Sequence, residues 1–126
     1  MSAKRILIVD DEYDIRAVAA LALKTVAGWE VLTAASGREG LDIAVTEQPD
    51  AILLDVMMPD MDGIATLQAL QANPATKSIP VILMTAKAQA ADQRRFASLG
   101  VAGIITKPFK AMQLSAQVIA ALGWQP

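Results

Sequence analysis

Three short runs of apolar residues divide the chain, and charged or turn-forming residues bound each of them. They cover residues 6–9, 51–54 and 81–84. The runs are too short for helices and too continuous for half-exposed strands, which is typical of strands buried on both faces of a parallel sheet. Residues 30–34 and 102–106 are β-branched and apolar enough to be strands as well. The pattern therefore predicts five strands.

Amphipathic segments separate these strands and predict five helices. The first covers residues 12–27, with one apolar face expected at Val18, Leu21, Ala22 and Thr25. The others are a helix capped by Ser36 with Glu39 three residues later, a helix after Gly63 that carries Leu67 and Leu70, and helices over residues 89–99 and 110–122. A strand followed by a helix, five times in succession, predicts an α/β fold: one five-stranded parallel sheet, doubly wound, with right-handed crossovers and helices on both faces.

The length of 126 residues allows one domain, which we assign to residues 1–126 with a core over about 4–122. The chain contains no Cys and no His. Their absence excludes disulfides, thiol nucleophiles, His-ligated zinc sites and imidazole acid–base catalysis. Chemistry must therefore come from carboxylates, hydroxyls, Lys, Arg or a metal ion.

The net charge of −2 gives no sign of direct nucleic-acid binding, but the charges are unevenly distributed. Residues 1–62 hold twelve acidic and five basic residues, whereas residues 63–126 hold six basic residues and one acid, Asp92. No apolar run is long enough for a membrane span or a signal peptide. We therefore expect a cytoplasmic protein without a membrane partner.

Polar residues follow four of the predicted strands, where ligands of open α/β sheets bind. They are Asp10 and Asp11 after the first strand, Asp55 after the third, Thr85 after the fourth and Lys107 after the fifth. Polar loops account for one or two such residues. Three carboxylates gathered together raise one another's pKa unless a cation neutralises them, and Mg²⁺ prefers such oxygen ligands. The pattern favours a Mg²⁺-dependent phosphoryl site in which a carboxylate could be the nucleophile.

Four segments in register resemble the CheY-like receiver domain of two-component response regulators. They are residues 6–12 (ILIVDDE), 53–63 (LLDVMMPDMDG), 80–86 (PVILMTA) and 107–109 (KPF). Their order and spacing are similar to the family over residues 4–122. The resemblance implies a flavodoxin-like sheet with strand order 2-1-3-4-5.

The resemblance also implies the roles of individual residues. Asp55 corresponds to the phosphoacceptor. Asp10, Asp11 and Asp55 would hold Mg²⁺ together with the backbone carbonyl of Met57, Asp11 more directly and Asp10 largely through water.

The resemblance implies that two residues contact the phosphoryl group: Thr85 through a hydrogen bond and Lys107 through its charge. The donor would be a sensor histidine kinase or a histidine phosphotransfer protein. A downstream protein would be recognised by the face of the fourth helix, fifth strand and fifth helix. Such a protein is a regulator rather than an enzyme, since it catalyses only its own phosphorylation and dephosphorylation.

One position departs from the family pattern, and the expected roles of several others follow from the resemblance. Ile104 stands where receivers usually have an aromatic switch residue. Met57 and Lys87 occupy positions that in the family tune water access to the acyl phosphate. The resemblance suggests a cis Lys107–Pro108 bond, and Gly63 suits a turn with positive φ.

Three other functions remain open at this point. A small Mg²⁺-dependent phosphatase or phosphotransferase with an Asp nucleophile would use the same carboxylates, but the chain lacks the D-x-D pattern and a cap domain. A flavodoxin-like binding module would need a phosphate-binding loop after the first strand. A receiver that binds partners without phosphorylation would not need the complete set of site residues.

Overall fold

A computed structural model describes residues 4–58, 62–86 and 89–124. The elements follow one another as β1 Arg5–Val9, α1 Tyr13–Ala27, β2 Glu30–Ala34, α2 Gly37–Glu47, β3 Ala51–Asp55, α3 Gly63–Ala72, β4 Val81–Thr85, α4 Ala90–Ala97, β5 Gly103–Thr106, a 3₁₀ turn Ala111–Gln113 and α5 Leu114–Leu122. All strand pairs are parallel, in the order β2-β1-β3-β4-β5. The predicted fold class and strand order are confirmed.

Two apolar layers cover the sheet, because alternate residues of each strand point to opposite faces. Leu7, Ile52 and Leu83 belong to the layer under α2, α3 and α4, where Phe96 is fully buried. Ile8 belongs to the opposite layer under α1 and α5. β1, β3 and β4 have helices on both faces, which is why their sequences are continuously apolar.

The buried face of α1 differs from the predicted one. Val18 and Leu21 point to solvent and are 47% and 64% exposed, while Ala19, Ala22 and Leu23 are buried. Nearly every position in the middle of α1 is apolar, so periodicity alone does not define a face. The small side chains of Ala19 and Ala22 allow the helix to lie close to the sheet.

The loop after β3 depends on Gly63, although not for the predicted reason. Gly63 does not have a positive φ; it is the first residue of α3. A Cβ there would collide with the backbone oxygen of Asp55 and lie 2.6 Å from Cα of Val56. The residue is glycine because two backbone segments meet, and this contact fixes the loop beside Asp55.

Helix and loop ends agree with several other expectations. Ser36 caps α2 by accepting a hydrogen bond from the amide of Glu39, at 3.1 Å. The Lys107–Pro108 bond is cis, as the resemblance suggests. Within the described residues, no helix is both long and apolar enough to cross a membrane.

Candidate functional site: a carboxylate cluster at the carboxyl edge of the sheet

The three predicted carboxylates lie together at the carboxyl edge of the sheet. Asp10 directly follows β1, and Asp55 is the last residue of β3, so the pairing of these two central strands brings the residues side by side. Asp10 and Asp55 are almost completely buried, whereas Asp11 is exposed. One oxygen of each carboxylate lies within 4.8 Å of the other two, a spacing that could hold a metal ion.

The two buried carboxylates are held by backbone amides of the loops that follow them. Asp10 Oδ1 accepts a hydrogen bond from the amide of Glu12 at 2.9 Å, and Asp55 Oδ1 accepts one from the amide of Met57 at 3.3 Å. These bonds orient the carboxylates but do not remove their charge. Burying two negative charges in contact therefore requires a cation.

Lys107 supplies the positive charge among the described residues of the cluster. Its Nζ lies 2.8 Å from Asp10 Oδ2 and 3.2 Å from Asp55 Oδ1, and 4.0 Å from Glu12 Oε1. The Lys107 amide donates to the carbonyl oxygen of Thr85 at 2.7 Å, which ties the segment after β5 to the end of β4. The ammonium group therefore lies between the two buried carboxylates.

This arrangement raises the pKa values of both Asp55 and Lys107. The shift disfavours the charged form of Asp55 and favours the charged form of Lys107. Burial, together with the neighbouring charge of Asp10, raises the pKa of Asp55 from its ordinary value of 3.8 to about 6, although Lys107 and the Met57 amide oppose the shift. Burial disfavours the charged form of Lys107, but hydrogen bonds and charges from Asp10 and Asp55 outweigh it and raise the pKa of Lys107. Above a pH of about 6, the ionised Asp55 carboxylate therefore lies beside the Lys107 ammonium group.

The remaining predicted residues occupy the same edge or its border. Thr85 is the last residue of β4 and is fully buried, opposite Thr106 of β5. Met57 is 63% exposed beside the site, and its carbonyl stays a predicted ligand. Ile104 is half-buried and packs against the core layer that contains Phe96. Lys87 lies outside the described residues.

Arg16 is a site residue that the sequence analysis missed. Its guanidinium donates to the backbone oxygen of Asp10 at 2.7 Å and lies 5.8 Å from the ring centroid of Tyr13. It braces the end of β1 against α1, so it positions Asp10 without contacting the carboxylate. Its position as the sole basic residue close to four acids at residues 10–14 was the available signal.

The chain belongs to the response regulator receiver family: residues 6–119 match the model of the response regulator receiver domain. It is 39% identical over 122 residues to the phosphate regulon transcriptional regulatory protein PhoB of Pseudomonas aeruginosa, covering 97% of this chain and 53% of PhoB. It is 38% identical over 122 residues to the probable transcriptional regulator ycf27 of Cyanophora paradoxa, covering 97% of this chain and 49% of that protein.

A solved structure agrees with this assignment. The chemotaxis response regulator CheY4 of Vibrio cholerae superposes with a TM-score of 0.88 and 31% sequence identity, covering 95% of this chain and 99% of CheY4. The chain spans about half the length of the curated relatives it matches. It is therefore a receiver domain of the kind found in two-component regulators, and receiver domains generally use Mg²⁺ and interact with histidine kinases and downstream effectors.

Proposed function

We propose that this receiver is a phosphoacceptor switch in which Asp55 accepts a phosphoryl group from a phosphohistidine of a sensor kinase or phosphotransfer protein. The observation that carries the proposal is the position of Asp55. Its carboxylate is buried at a strand end, close to two further carboxylates and in contact with the Lys107 ammonium. Nucleophile, metal ligands and a charge-neutralising cation are thus together before any partner binds.

The reaction is a simple displacement at phosphorus. A bond forms between an Asp55 carboxylate oxygen and phosphorus while the bond from phosphorus to the imidazole nitrogen breaks, and that nitrogen keeps the electron pair. Bound Mg²⁺ would neutralise charge on the transferred oxygens. Asp10, Asp11, Asp55 and the Met57 carbonyl would hold the ion. Lys107 pairs with a phosphoryl oxygen, and the Thr85 hydroxyl donates a hydrogen bond to another.

The position of Lys107 supports a change of partners during this reaction. The Lys107 ammonium contacts Asp10 and Asp55 simultaneously. A phosphoryl group on Asp55 brings new negative oxygens to the same place, so Lys107 exchanges a carboxylate contact for a phosphoryl contact. Because the segment after β5 is hydrogen-bonded to Thr85, this exchange reaches α4, β5 and α5, which we propose as the surface for a downstream protein.

The proposed face works without an aromatic switch residue. Ile104 lies in the middle of β5 and is packed on the core side of the sheet. An aliphatic side chain offers no hydroxyl or ring edge for a second polar contact. The change at the face is therefore carried by Thr85, by Lys107 and by the loops that hold them.

Intact-mass measurement tests the phosphoacceptor. Incubation with acetyl phosphate and Mg²⁺ should add one phosphoryl group, and Asp55→Asn should abolish the addition because the amide lacks a nucleophilic oxygen anion. Asp42→Asn, the same substitution at an exposed position on α2, should be labelled like the unmodified protein. Equal labelling of the Asp55 variant would overturn the proposal, and sustained release of phosphate from a phosphomonoester would favour the phosphatase.

Metal binding has its own test at Asp11, the exposed member of the cluster. A ligand that binds the folded state raises the free energy of unfolding by RT ln(1 + [L]/Kd), about 1.4 kcal/mol at ten times Kd. Urea unfolding with and without Mg²⁺ should show this increase, and Asp11→Ala should lose most of it. Asp14→Ala removes another exposed carboxylate, from the first turn of α1, and should keep the Mg²⁺ response. An undiminished Mg²⁺ response in Asp11→Ala would exclude Asp11 as a ligand.

A further inference from the structure

Two of the methionines that the structure describes are exposed, and two are buried. Met57 and Met112 are 63% and 76% exposed, whereas Met58 and Met84 are 7% and 0% exposed. Because the chain contains no Cys, methionine sulfur is the group that a peroxide oxidises most readily. Among the described residues, Met57 and Met112 are therefore the positions at which a peroxide should react first.

The two exposed methionines lie in different parts of the fold. Met57 follows the end of β3, whereas Met112 belongs to the 3₁₀ turn before α5. The Met57 amide donates a hydrogen bond to Asp55 Oδ1 at 3.3 Å, and the Met57 carbonyl is a predicted Mg²⁺ ligand. The backbone of Met57 thus contacts the carboxylate cluster while its side chain is exposed. A chemical change of this side chain acts on a residue that holds the site.

Met57 lines a cavity of about 280 Å³, where residues 56–58 meet α3 and α4. Arg95 lines the same cavity from α4. Asp62 lines it too, but its Oδ1 caps α3 by accepting a hydrogen bond from the amide of Ala65 at 2.7 Å. Within the described ranges no carboxylate, including Asp92 one turn earlier, lies within ion-pair distance of Arg95. Arg95 therefore offers N–H donors to a new acceptor in the cavity.

We propose that Met57 is a peroxide-sensitive modification site, and that its oxidation to the sulfoxide weakens Mg²⁺ binding at the carboxylate cluster. The inference rests on the proposed function for its link to Asp55, and it adds a form of regulation to that site. A sulfur lone pair attacks one oxygen of hydrogen peroxide, and the S–O bond forms as the O–O bond breaks. The proton of the first oxygen passes to the second, which leaves as water. Sulfur is oxidised by two electrons and the peroxide is reduced.

Oxidation changes what the end of the Met57 side chain binds. A thioether is a weak hydrogen-bond acceptor, whereas the sulfoxide is polar and its oxygen is a strong acceptor. Arg95 is the positively charged donor among the described residues that line the cavity, and hydrogen bonds from charged donors are strong. The new bond draws residues 56–58 towards α4. The Met57 carbonyl then leaves the position of a metal ligand, and the bond from the Met57 amide to Asp55 lengthens.

Peptide mapping by mass spectrometry tests the modification itself. Treatment of the whole protein with hydrogen peroxide should oxidise Met57 and Met112 at least fivefold faster than Met58 and Met84, because burial protects the latter two. Methionine sulfoxide reductase should return the protein to its original mass. Oxidation of Met57 no faster than that of Met58 would overturn the inference.

The effect on the site is measured for each protein before and after peroxide, so that each is its own reference. In the unmodified protein, peroxide should slow labelling of Asp55 by acetyl phosphate at least threefold at limiting Mg²⁺, and saturating Mg²⁺ should restore it. Beryllofluoride forms a mimic of the phosphorylated carboxylate, which amide shifts in NMR spectra detect. The Mg²⁺ concentration needed for this complex should rise by a similar factor. A loss that saturating Mg²⁺ leaves unchanged would contradict the proposed effect on metal binding.

Two pairs of matched variants locate the effect. Met57→Leu should abolish the response to peroxide, whereas Met112→Leu, at the more exposed methionine, should keep it. Arg95→Leu should reduce the response, whereas Arg94→Leu, at an exposed neighbour that does not line the cavity, should keep it. A response that persists in Met57→Leu would assign it to another methionine, such as Met61 outside the described residues, and would overturn the inference. Equal responses of the two arginine variants would overturn the role of Arg95.

Further outcomes separate this inference from the proposed function. Absence of Asp55 labelling before peroxide treatment would overturn the proposed function. In that case the Mg²⁺ response in urea unfolding still tests the inference, since oxidation of Met57 should reduce it. Labelling and Mg²⁺ response that stay unchanged after complete conversion of Met57 to the sulfoxide would overturn the inference alone.

Discussion

Substitution of Lys107 by methionine should lower the free energy of unfolding of the metal-free protein by about 3 kcal/mol at pH 8, as expected when one partner of a buried ion pair is removed. Lys107 lies between the carboxylates of Asp10 and Asp55, which are 0% and 2% exposed. Methionine fills similar space without charge, so two buried anions remain in contact. Urea unfolding in the presence of a chelator measures the loss.

Two treatments should restore part of that stability. Lowering the pH through the range in which Asp55 takes up a proton removes one of the two charges, and added Mg²⁺ replaces the missing cation. Lys77→Met, at an exposed loop position, is the matched control and should change stability by less than about 0.5 kcal/mol. Equal losses in the two variants, or a Lys107→Met loss that Mg²⁺ and acid leave unchanged, would mean that Lys107 does not neutralise the cluster.

Lys107→Arg should recover part of the stability that Lys107→Met loses, but it should not restore signalling. The substitution keeps the positive charge, and some of the lost stability should return. The wider planar guanidinium cannot occupy the point-like position that Nζ takes between two carboxylates. We therefore expect labelling of Asp55 without the beryllofluoride-dependent change at the face of α4, β5 and α5.

The strands and their order were predictable because their signal is unambiguous. β1, β3 and β4 are apolar at nearly every position, which only a sheet covered on both faces requires, and the alternation with helices leaves few topologies. The predicted strand limits differ from the observed ones by one residue at most. The buried face of α1 was not predictable in this way, since apolar side chains occupy both of its sides.

The site was predictable as a set of strand ends but not as a set of contacts. Parallel strands place Asp10, Asp55 and Thr85 on one edge whatever the side chains do. The contact of Lys107 with Asp10 joins residues 97 positions apart and depends on the conformation of the segment after β5. No local pattern encodes it. Arg16 was missed because it acts through a backbone oxygen, for which any nearby donor would serve.

For Gly63, the requirement for glycine was predicted correctly, but the predicted structural reason was wrong. Glycine after a loop indicates either a positive φ or a close approach of two backbones, and sequence alone does not separate them. Here the approach is between the start of α3 and the backbone of Asp55 and Val56, at the end of β3. The glycine therefore supports the backbone at Asp55 rather than forming a turn.

Substitution of Asp55 by asparagine should stabilise the metal-free protein, and the gain should depend on pH. The pKa of Asp55 is raised from 3.8 to about 6, so the folded protein binds this proton more tightly than the unfolded chain does. The contribution of Asp55 to the free energy of unfolding therefore falls as the pH rises from about 4 to about 6 and is constant above that. A shift of this size corresponds to about 3 kcal/mol, which is the upper limit of the gain.

Asparagine has the shape of the neutral carboxyl group, so the variant should avoid the cost of burying a charge at this position at every pH. The difference in free energy of unfolding between Asp55→Asn and the unmodified protein should be close to zero near pH 4. It should increase between pH 4 and 6 and reach about 2–3 kcal/mol at pH 7–8. Urea unfolding in chelator across this range measures it. Asp42→Asn should show no such increase in the difference with pH, because that carboxylate is exposed on α2. Saturating Mg²⁺ should narrow the difference, since the ion stabilises the ionised carboxylate that the variant lacks. A difference of the same size at pH 4 and pH 8 would show that packing, and not the buried charge of Asp55, distinguishes the two proteins.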